Sequence, residues 1–405
     1  MDFSRIELDD RQRSFAEEVR ELLAECLSEE EQDRQYRVGS GFDETLHMAL
    51  GSKGWLMPTW PVERGGAGLD PLRARVLELE LRHAGVSNMT ILSLRSVWPA
   101  VEKHLDAELV EELRPKVARG YVRFCLGYTE PDGGSDIASA KFRATRDGDE
   151  WILSGSKIFT TEAQNSQFIF LLTRTDPTRP KHEGLTMFLV PTGSPGIEIQ
   201  AIRTFGGERT NIVFFDDVRV SDRFRLGAVN GGWAVLRGPL DEEHSLGGAE
   251  SALEDLSIGG SDYAHVLAKA LQVATDWAST AVREDGRKVS EDDAVKMRLG
   301  MAATDVEVAR STPGPMGRVF GSEALIRGAA DLLDLVGTDG LLMATSRRPN
   351  GLNELEFAHR YAQGTATYGG TVEVFRDMIA QHVLGLPRLD LPGRKVFLQN
   401  PPTSR

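Results

Sequence analysis

The chain has 405 residues, enough for two or three domains or one large composite unit, and its 40% hydrophobic and 27% charged content is that of an ordinary soluble globular protein. Its net charge of −14 argues against nucleic acid as a partner, because phosphate binding needs a basic footprint. No apolar run approaches the roughly 18 to 20 residues that cross a bilayer, and the acidic start Met1–Glu7 has no apolar core of a signal peptide, so neither membrane insertion nor export is expected. The two cysteines, Cys26 and Cys125, lie far apart, which suggests no disulfide framework and fits a reducing cytoplasm.

From about Asp9 to Arg119 the pattern is helical: Phe15, Val19, Leu22 and Leu23 recur at helical spacing, as do Val76, Leu77, Leu79 and Leu81. A Pro/Gly loop, Trp60 to Gly68, separates the two runs. Between Tyr121 and about Val220 the period changes. Phe168–Leu172, Leu185–Val190 and Ile212–Phe215 are short, β-rich and bounded by turn residues, and Asp147-Gly148-Asp149 reads as a hairpin turn. Helical patterning returns after Gly231, over residues 264–281, 292–309 and 323–336, with Pro313-Gly314-Pro315 as a break and Gly337 as a stop. The order helices, β segment, helices implies an α+β multidomain fold, with domains at 1–120, 121–230 and 231–390 and a tail at 391–405.

Several chemistries lack their motifs. No GxGxxG opens a helix after a strand, and there is no Walker loop and no GxSxG elbow. His and Cys do not cluster at metal spacing, so no metal site is expected. What remains is Thr129-Glu130-Pro131-Asp132-Gly133-Gly134-Ser135-Asp136, which follows the apolar stretch Val122–Leu126. Proline and two glycines force a loop that exposes N–H groups and hydroxyls at a strand end, where a flat polar ring or a thioester tail can bind. On composition alone an ordinary turn is the favoured reading, since Gly/Pro/Asp turns are common.

The loop resembles the TEPGAGSD signature of acyl-CoA dehydrogenases, with Asp132 and Gly133 in place of Gly and Ala. Gly155-Ser156-Lys157-Ile158-Phe159-Thr160-Thr161 is similar to that family's GxKxWIT strand. Asp216–Val220, Asn230–Trp233, Pro61–Gly68, and Thr367–Val374 through Leu384–Arg388 resemble further family segments, in family order over most of the chain. The resemblance implies an N-terminal helical domain, a central β-barrel-like domain and a C-terminal four-helix bundle, with FAD between the last two. It implies that Leu126, Tyr128, Thr129, Phe159 and Thr161 line the flavin, that Gly134 and Ser135 lie near cofactor and CoA, and that Thr371 and Glu373 touch the cofactor. Ser135, Leu240, Asp241 and Tyr368 are the implied substrate contacts. The implied reaction removes an α-proton from an acyl-CoA and passes a β-hydride to flavin N5, giving the 2,3-enoyl-CoA, with electron-transfer flavoprotein as acceptor.

Many members carry the base as Glu after the Tyr of the last motif. Here that position is Gly369, which retains only an N–H for the thioester oxygen. A second family pattern, LxxER on the first helix after the β domain, resembles Leu240-Asp241-Glu242-Glu243-His244. Glu243 is then the expected base and His244 a residue that tunes it. The competing expectation is a solvated acidic helix start, in which Asp241, Glu242 and Glu243 favour the N-terminal dipole.

Two family segments are degraded. Arg283-Glu284-Asp285-Gly286-Arg287-Lys288 lacks the Phe of RxxFG, and Asp334–Gly340 has Asp for the Gln of QxxGGxG, an acid ill suited to a phosphate. The loop Ser257–Asp262 looks inserted. Paired relatives, whose base-bearing subunit also has Gly-Gly in the last motif, act on steroid side-chain CoA esters. The resemblance therefore implies a hetero-oligomer with a second acyl-CoA dehydrogenase-like subunit, an α2β2 arrangement, with a homo-oligomer as the alternative. An acyl-CoA oxidase or flavin monooxygenase of the same fold, or a non-catalytic stabilising subunit, are the competing functions.

Overall fold

Phe15, Val19 and Leu23 form the buried face of the first helix, α1 (Asp10–Cys26), in a computed structural model that describes residues 7–87, 89–243, 260–312, 314–341 and 351–387. Asp9 and Gln12 start α1 with a reciprocal capping box. Five further helices follow: α2 (Glu29–Val38), α3 (Glu44–Ser52), α4 (Pro71–His83), α5 (Met89–His104) and α6 (Ala107–Ala118). Pro71 opens α4 at a position where a missing N–H costs nothing, and Asp70 caps it. Their apolar faces meet around Leu50, Leu77, Leu94 and Trp98.

The middle of the chain makes eight strands: β1 (Phe124–Gly127), β2 (Arg143–Asp147), β3 (Glu150–Ile158), β4 (Phe168–Arg174), β5 (Leu185–Pro191), β6 (Ile197–Arg203), β7 (Arg209–Ser221) and β8 (Arg225–Leu226). Their order in one sheet is β6-β7-β3-β2-β4-β5-β8, and β1 lies parallel to β4. The expected hairpin joins β2 to β3, with Gly148 at φ +63°. The expected central β domain is present; its sheet is not closed among the described residues, its order ending in β6 on one side and β8 on the other. At two residues β8 is too short to close it. The sheet still encloses a core of its own, with Trp151, Leu153, Ile169, Leu171, Phe188 and Val213 packed together. The opposite face of β4 and β5, carrying Phe170, Leu172, Met187 and Leu189, joins the core of the N-terminal helices. Burial on both faces explains why these strands read as continuous apolar runs rather than as alternation.

The chain then enters α7 (Gly232–Glu243), which packs on α5 and β5 through Val235 and Leu236. The helices α8 (Gly260–Thr280), α9 (Asp293–Ser311), α10 (Gly314–Val336) and α11 (Asn353–Thr365) form the four-helix bundle, and α12 (Val372–Met378) lies against α10. The bundle core is small-residue rich: Ala270, Ala274, Ala302, Ala324, Ala329, Ala358 and Ala362 are all buried. The third helix begins at Gly314 rather than Glu323, because Pro315 sits in its first turn, where proline is tolerated. Likewise α8 begins at Gly260, so only residues 257–259 of the inserted-looking loop lie outside the described residues. Among the described residues no helix is long and apolar enough to cross a membrane.

Candidate active site

The loop Thr129–Asp136 leaves β1 and is exposed from Pro131 to Asp136. Glu130 fastens its root. Its carboxylate accepts hydrogen bonds from the Lys141 N–H (2.8 Å), the Phe142 N–H (2.9 Å) and Lys157 Nζ (2.8 Å). Lys157, on β3, is fully buried and also donates to the Tyr128 carbonyl (3.0 Å). Burial pushes the Lys157 ammonium down to about 8 in spite of Glu130. Burial also pushes Glu130 up, but Lys157 and the two backbone N–H groups outweigh it and hold the carboxyl below its ordinary range. The sequence motifs contain both residues, yet the resemblance gave neither a role.

The other wall is the turn after β3. Phe159 has φ +59° and Glu162 φ +62°, left-handed values that cost a residue with a side chain. The Phe159 ring is 59% exposed. Polar contacts hold this strained turn. Glu162 accepts from Ser40 Oγ (3.0 Å) and Asn165 Nδ2 (2.6 Å). Buried Asn211 accepts from the Thr160 N–H (3.0 Å) and donates to the Thr160 carbonyl (2.9 Å). The Ile158 N–H donates to the Thr129 carbonyl (2.9 Å), which draws the two loops together. A Cβ at Gly134 would lie 3.8 Å from the Thr129 methyl. Thr129, Gly134, Phe159 and Thr161 therefore share one open shelf, with exposed Ser135 next to Gly134. An exposed aromatic face beside hydroxyls and glycine backbone fits a flat ring with a polar edge. Leu126 is half-buried, and the buried Tyr128 ring packs edge-on to Phe170 at 6.1 Å, on the side of the N-terminal core.

The last motif forms a second cluster on the bundle. Tyr368 Oη donates to Glu208 Oε2 (2.9 Å). Burial raises the Glu208 carboxyl above its ordinary range, although the Tyr368 hydrogen bond opposes this. Gly369 and Gly370 have φ of +54° and +100°. Buried Arg318 donates through Nη2 to the carbonyls of Thr365 (2.7 Å) and Tyr368 (2.6 Å). Thr371 caps α12 by accepting from the Val374 N–H (3.2 Å). Glu373 is exposed in that helix's first turn, and its own N–H and the Thr371 hydroxyl hold its carboxyl low.

The start of β7 links the clusters. Thr210 Oγ1 meets Thr161 Oγ1 at 3.0 Å, and Glu208, two residues earlier, meets Tyr368. In extended chain, residues two apart point the same way. The β6–β7 loop also docks on α11: the Phe205 carbonyl accepts from Arg360 Nη1 (3.0 Å), and a Cβ at Gly206 would stand 3.3 Å from the Tyr361 backbone.

The acidic run sits elsewhere than at a helix start. Because α7 begins at Gly232, Asp241–Glu243 lie about two and a half turns beyond its N-terminus. Dipole stabilisation fades within the first turn, so it does not account for them. Leu240 packs on the core of the N-terminal helices. His244 lies outside the described residues, as do the side chains of Asp241, Glu242 and Glu243.

In the degraded segments, charges are tied up within the subunit. Arg283 pairs with Asp292 (2.7 Å) and Arg287 with Asp285 (2.7 Å). Asp334 pairs with Arg298 (2.9 Å), and Asp339 accepts from Trp277 Nε1 (3.2 Å).

Three family models match the chain: Acyl-CoA dehydrogenase, N-terminal domain, over residues 9–121; middle domain, over 125–218; and C-terminal domain, over 260–384. The chain belongs to the acyl-CoA dehydrogenase family. As an acyl-CoA dehydrogenase it is an oxidoreductase that desaturates an acyl-CoA thioester between Cα and Cβ, in a family that depends on FAD. It is similar to acyl-CoA dehydrogenase FadE26 of Mycobacterium tuberculosis, 28% identical over 95% of this chain and 99% of that protein. Among solved structures it resembles the ChsE4-ChsE5 complex from the same organism, at 26% identity and TM-score 0.79 over 95% of this chain and all of that one. The Tcur3481-Tcur3483 steroid acyl-CoA dehydrogenase gives TM-score 0.79 at 28% identity, again over 95% of this chain and all of that one.

Two tests follow. Lys157→Met leaves the Glu130 carboxylate without its buried cation, and urea unfolding should show a loss of about 3–5 kcal/mol; a loss below about 1 kcal/mol would contradict the pair's anchoring role. A carboxyl raised in the folded state adds most stability below its ordinary value, and that contribution is lost as pH rises through the raised one. Glu208→Gln should therefore flatten the fall of melting temperature with pH just above the carboxylate range, whereas parallel wild-type and variant curves would show that Glu208 is not held high.

Proposed function

We propose that this acyl-CoA dehydrogenase binds FAD on the shelf of Thr129, Gly134, Ser135, Phe159 and Thr161, with Thr371 and Glu373 facing it from the bundle, and uses Glu243 as its base. The observation that carries the reading is that the start of β7 contacts both the shelf and the last motif, while the usual base position in that motif is a glycine. The carboxylate must then come from another element. The end of α7, a helix that packs on α5 and β5, offers Glu243.

The chemistry assigned to each residue follows from the weak acidity of a thioester α-proton. The Gly369 N–H donates to the thioester oxygen and stabilises the charge that develops there as the proton leaves. Glu243 accepts the α-proton, with His244 beside it to tune its proton affinity. Ser135, Leu240, Asp241 and Tyr368 border the substrate side. Bound FAD supplies the hydride acceptor, and electron-transfer flavoprotein takes the electrons onward.

The substrate proposed is a bulky, steroid side-chain-like acyl-CoA, supported by the likeness to a structure described as a steroid acyl-CoA dehydrogenase. The same likeness, together with that to the two-protein ChsE4-ChsE5 complex, supports pairing with a second acyl-CoA dehydrogenase-like subunit. The intrasubunit pairing of Arg283, Arg287 and Asp334 supports a pyrophosphate clamp supplied by that partner.

Glu243→Gln should lower kcat with a steroid side-chain acyl-CoA by at least about 10²-fold while the visible flavin spectrum is retained. Full activity in that variant would move the base elsewhere.

A further inference from the structure

We propose that Arg318 is the positioning residue that aims and polarises the Gly369 amide, with the Glu208–Tyr368 pair holding the same turn from the β domain. The inference rests on the reading of the Gly369 N–H as the donor to the thioester oxygen.

The peptide unit that contains the Gly369 N–H also contains the Tyr368 carbonyl. In a planar trans unit the two point in opposite directions. Arg318 Nη2 donates to that carbonyl at 2.6 Å, so the Gly369 N–H is turned away from the bundle interior in which Arg318 lies. A hydrogen bond from a guanidinium is charge-assisted, and it withdraws electron density through the amide, which makes the N–H a stronger donor.

The grip extends beyond one bond. Nη2 also reaches the carbonyls of Thr365 (2.7 Å) and Gly370 (3.4 Å), so one guanidinium gathers three carbonyls around the turn. Arg318 is itself fixed. It is 2% exposed, with its guanidinium 4.8 Å from the Tyr263 ring centre and 5.2 Å from that of Phe375. On the far side, Tyr368 Oη is held by the Glu208 carboxyl on the loop before β7.

Such a hold answers a specific problem. Gly369 and Gly370 both occupy left-handed backbone, and a Gly-Gly pair has the most conformational freedom to lose. An amide that must meet an oxygen at hydrogen-bond distance needs an external restraint when neither residue has a side chain to pack. Arg318 supplies it from α10, and Glu208 from the β domain.

The test is the infrared carbonyl stretch of an enoyl-CoA product, labelled with carbon-13 at the thioester carbonyl, bound to the flavin-loaded enzyme. Wild type should show a shift to lower frequency relative to the ester in water. Arg318→Lys and Arg318→Met should lose most of that shift, and kcat should fall by about 10²-fold with KM changed far less. Tyr368→Phe, which keeps the ring and removes the hydroxyl that bonds Glu208, should lose part of it. A full shift retained in Tyr368→Phe and in whichever Arg318 variant folds would overturn the proposal. No shift in wild type would instead remove the Gly369 donor itself, and the proposal with it.

Discussion

The buried pair of Glu130 and Lys157 is the contact on which the site is hung. Lys157 has no exposure at all, and its ammonium remains beside the carboxylate at a cost that burial makes plain. In exchange, one carboxylate ties together three pieces of chain: the loop after β1, the entry to β2 and the end of β3. The Ile158 N–H then joins the next residue of β3 to the Thr129 carbonyl, so both walls of the shelf are referred to one point. A buried ion pair of this kind adds little net stability, but it does penalise any arrangement in which the loop is displaced.

The N-terminal helices and the β domain share an apolar core, and polar contacts fix the strained turn and tie the β domain to the last motif. Ser40 and Glu162 join the N-terminal helices to the strained turn that exposes Phe159. Glu208 and Tyr368 join the β domain to the last motif. The Gly39 carbonyl, at the end of α2, accepts from the Arg209 N–H at 2.6 Å, so the N-terminal domain also reaches the start of β7. A Cβ on Gly39 would come within 2.4 Å of the Gly207 carbonyl, which explains why glycine occupies that close approach. The segment from Gly206 to Thr210 is thus touched by all three domains.

Much of the fold was legible in local patterns. The apolar runs of β4 and β5, the Gly148 turn and the helical period of the bundle all act over a few residues. Closure of the sheet was not legible, because it depends on how far the edge strands extend, and β8 is only two residues long. The acidic run on α7 suited a helix start until the helix proved to begin at Gly232, an onset that Pro239 inside the helix helped to hide. The motifs located the shelf, since they are contiguous. They did not reveal what holds it, since Lys157 meets Glu130 across 27 positions and Arg318 meets Tyr368 across 50. Arg318 in particular lies in a helix whose sequence signals packing alone.

The proposed flavin shelf lies in this chain, while Arg283, Arg287 and Asp334 of the degraded segments are paired with Asp292, Asp285 and Arg298 of the same chain. The most direct measurement is a titration of the purified full-length chain with FAD, followed by flavin fluorescence, alone and with a co-expressed second acyl-CoA dehydrogenase-like subunit. The account predicts weak, sub-stoichiometric binding by the chain alone and one tightly held FAD per site in the pair. One tightly held FAD per chain in a homo-oligomer of this protein would contradict it.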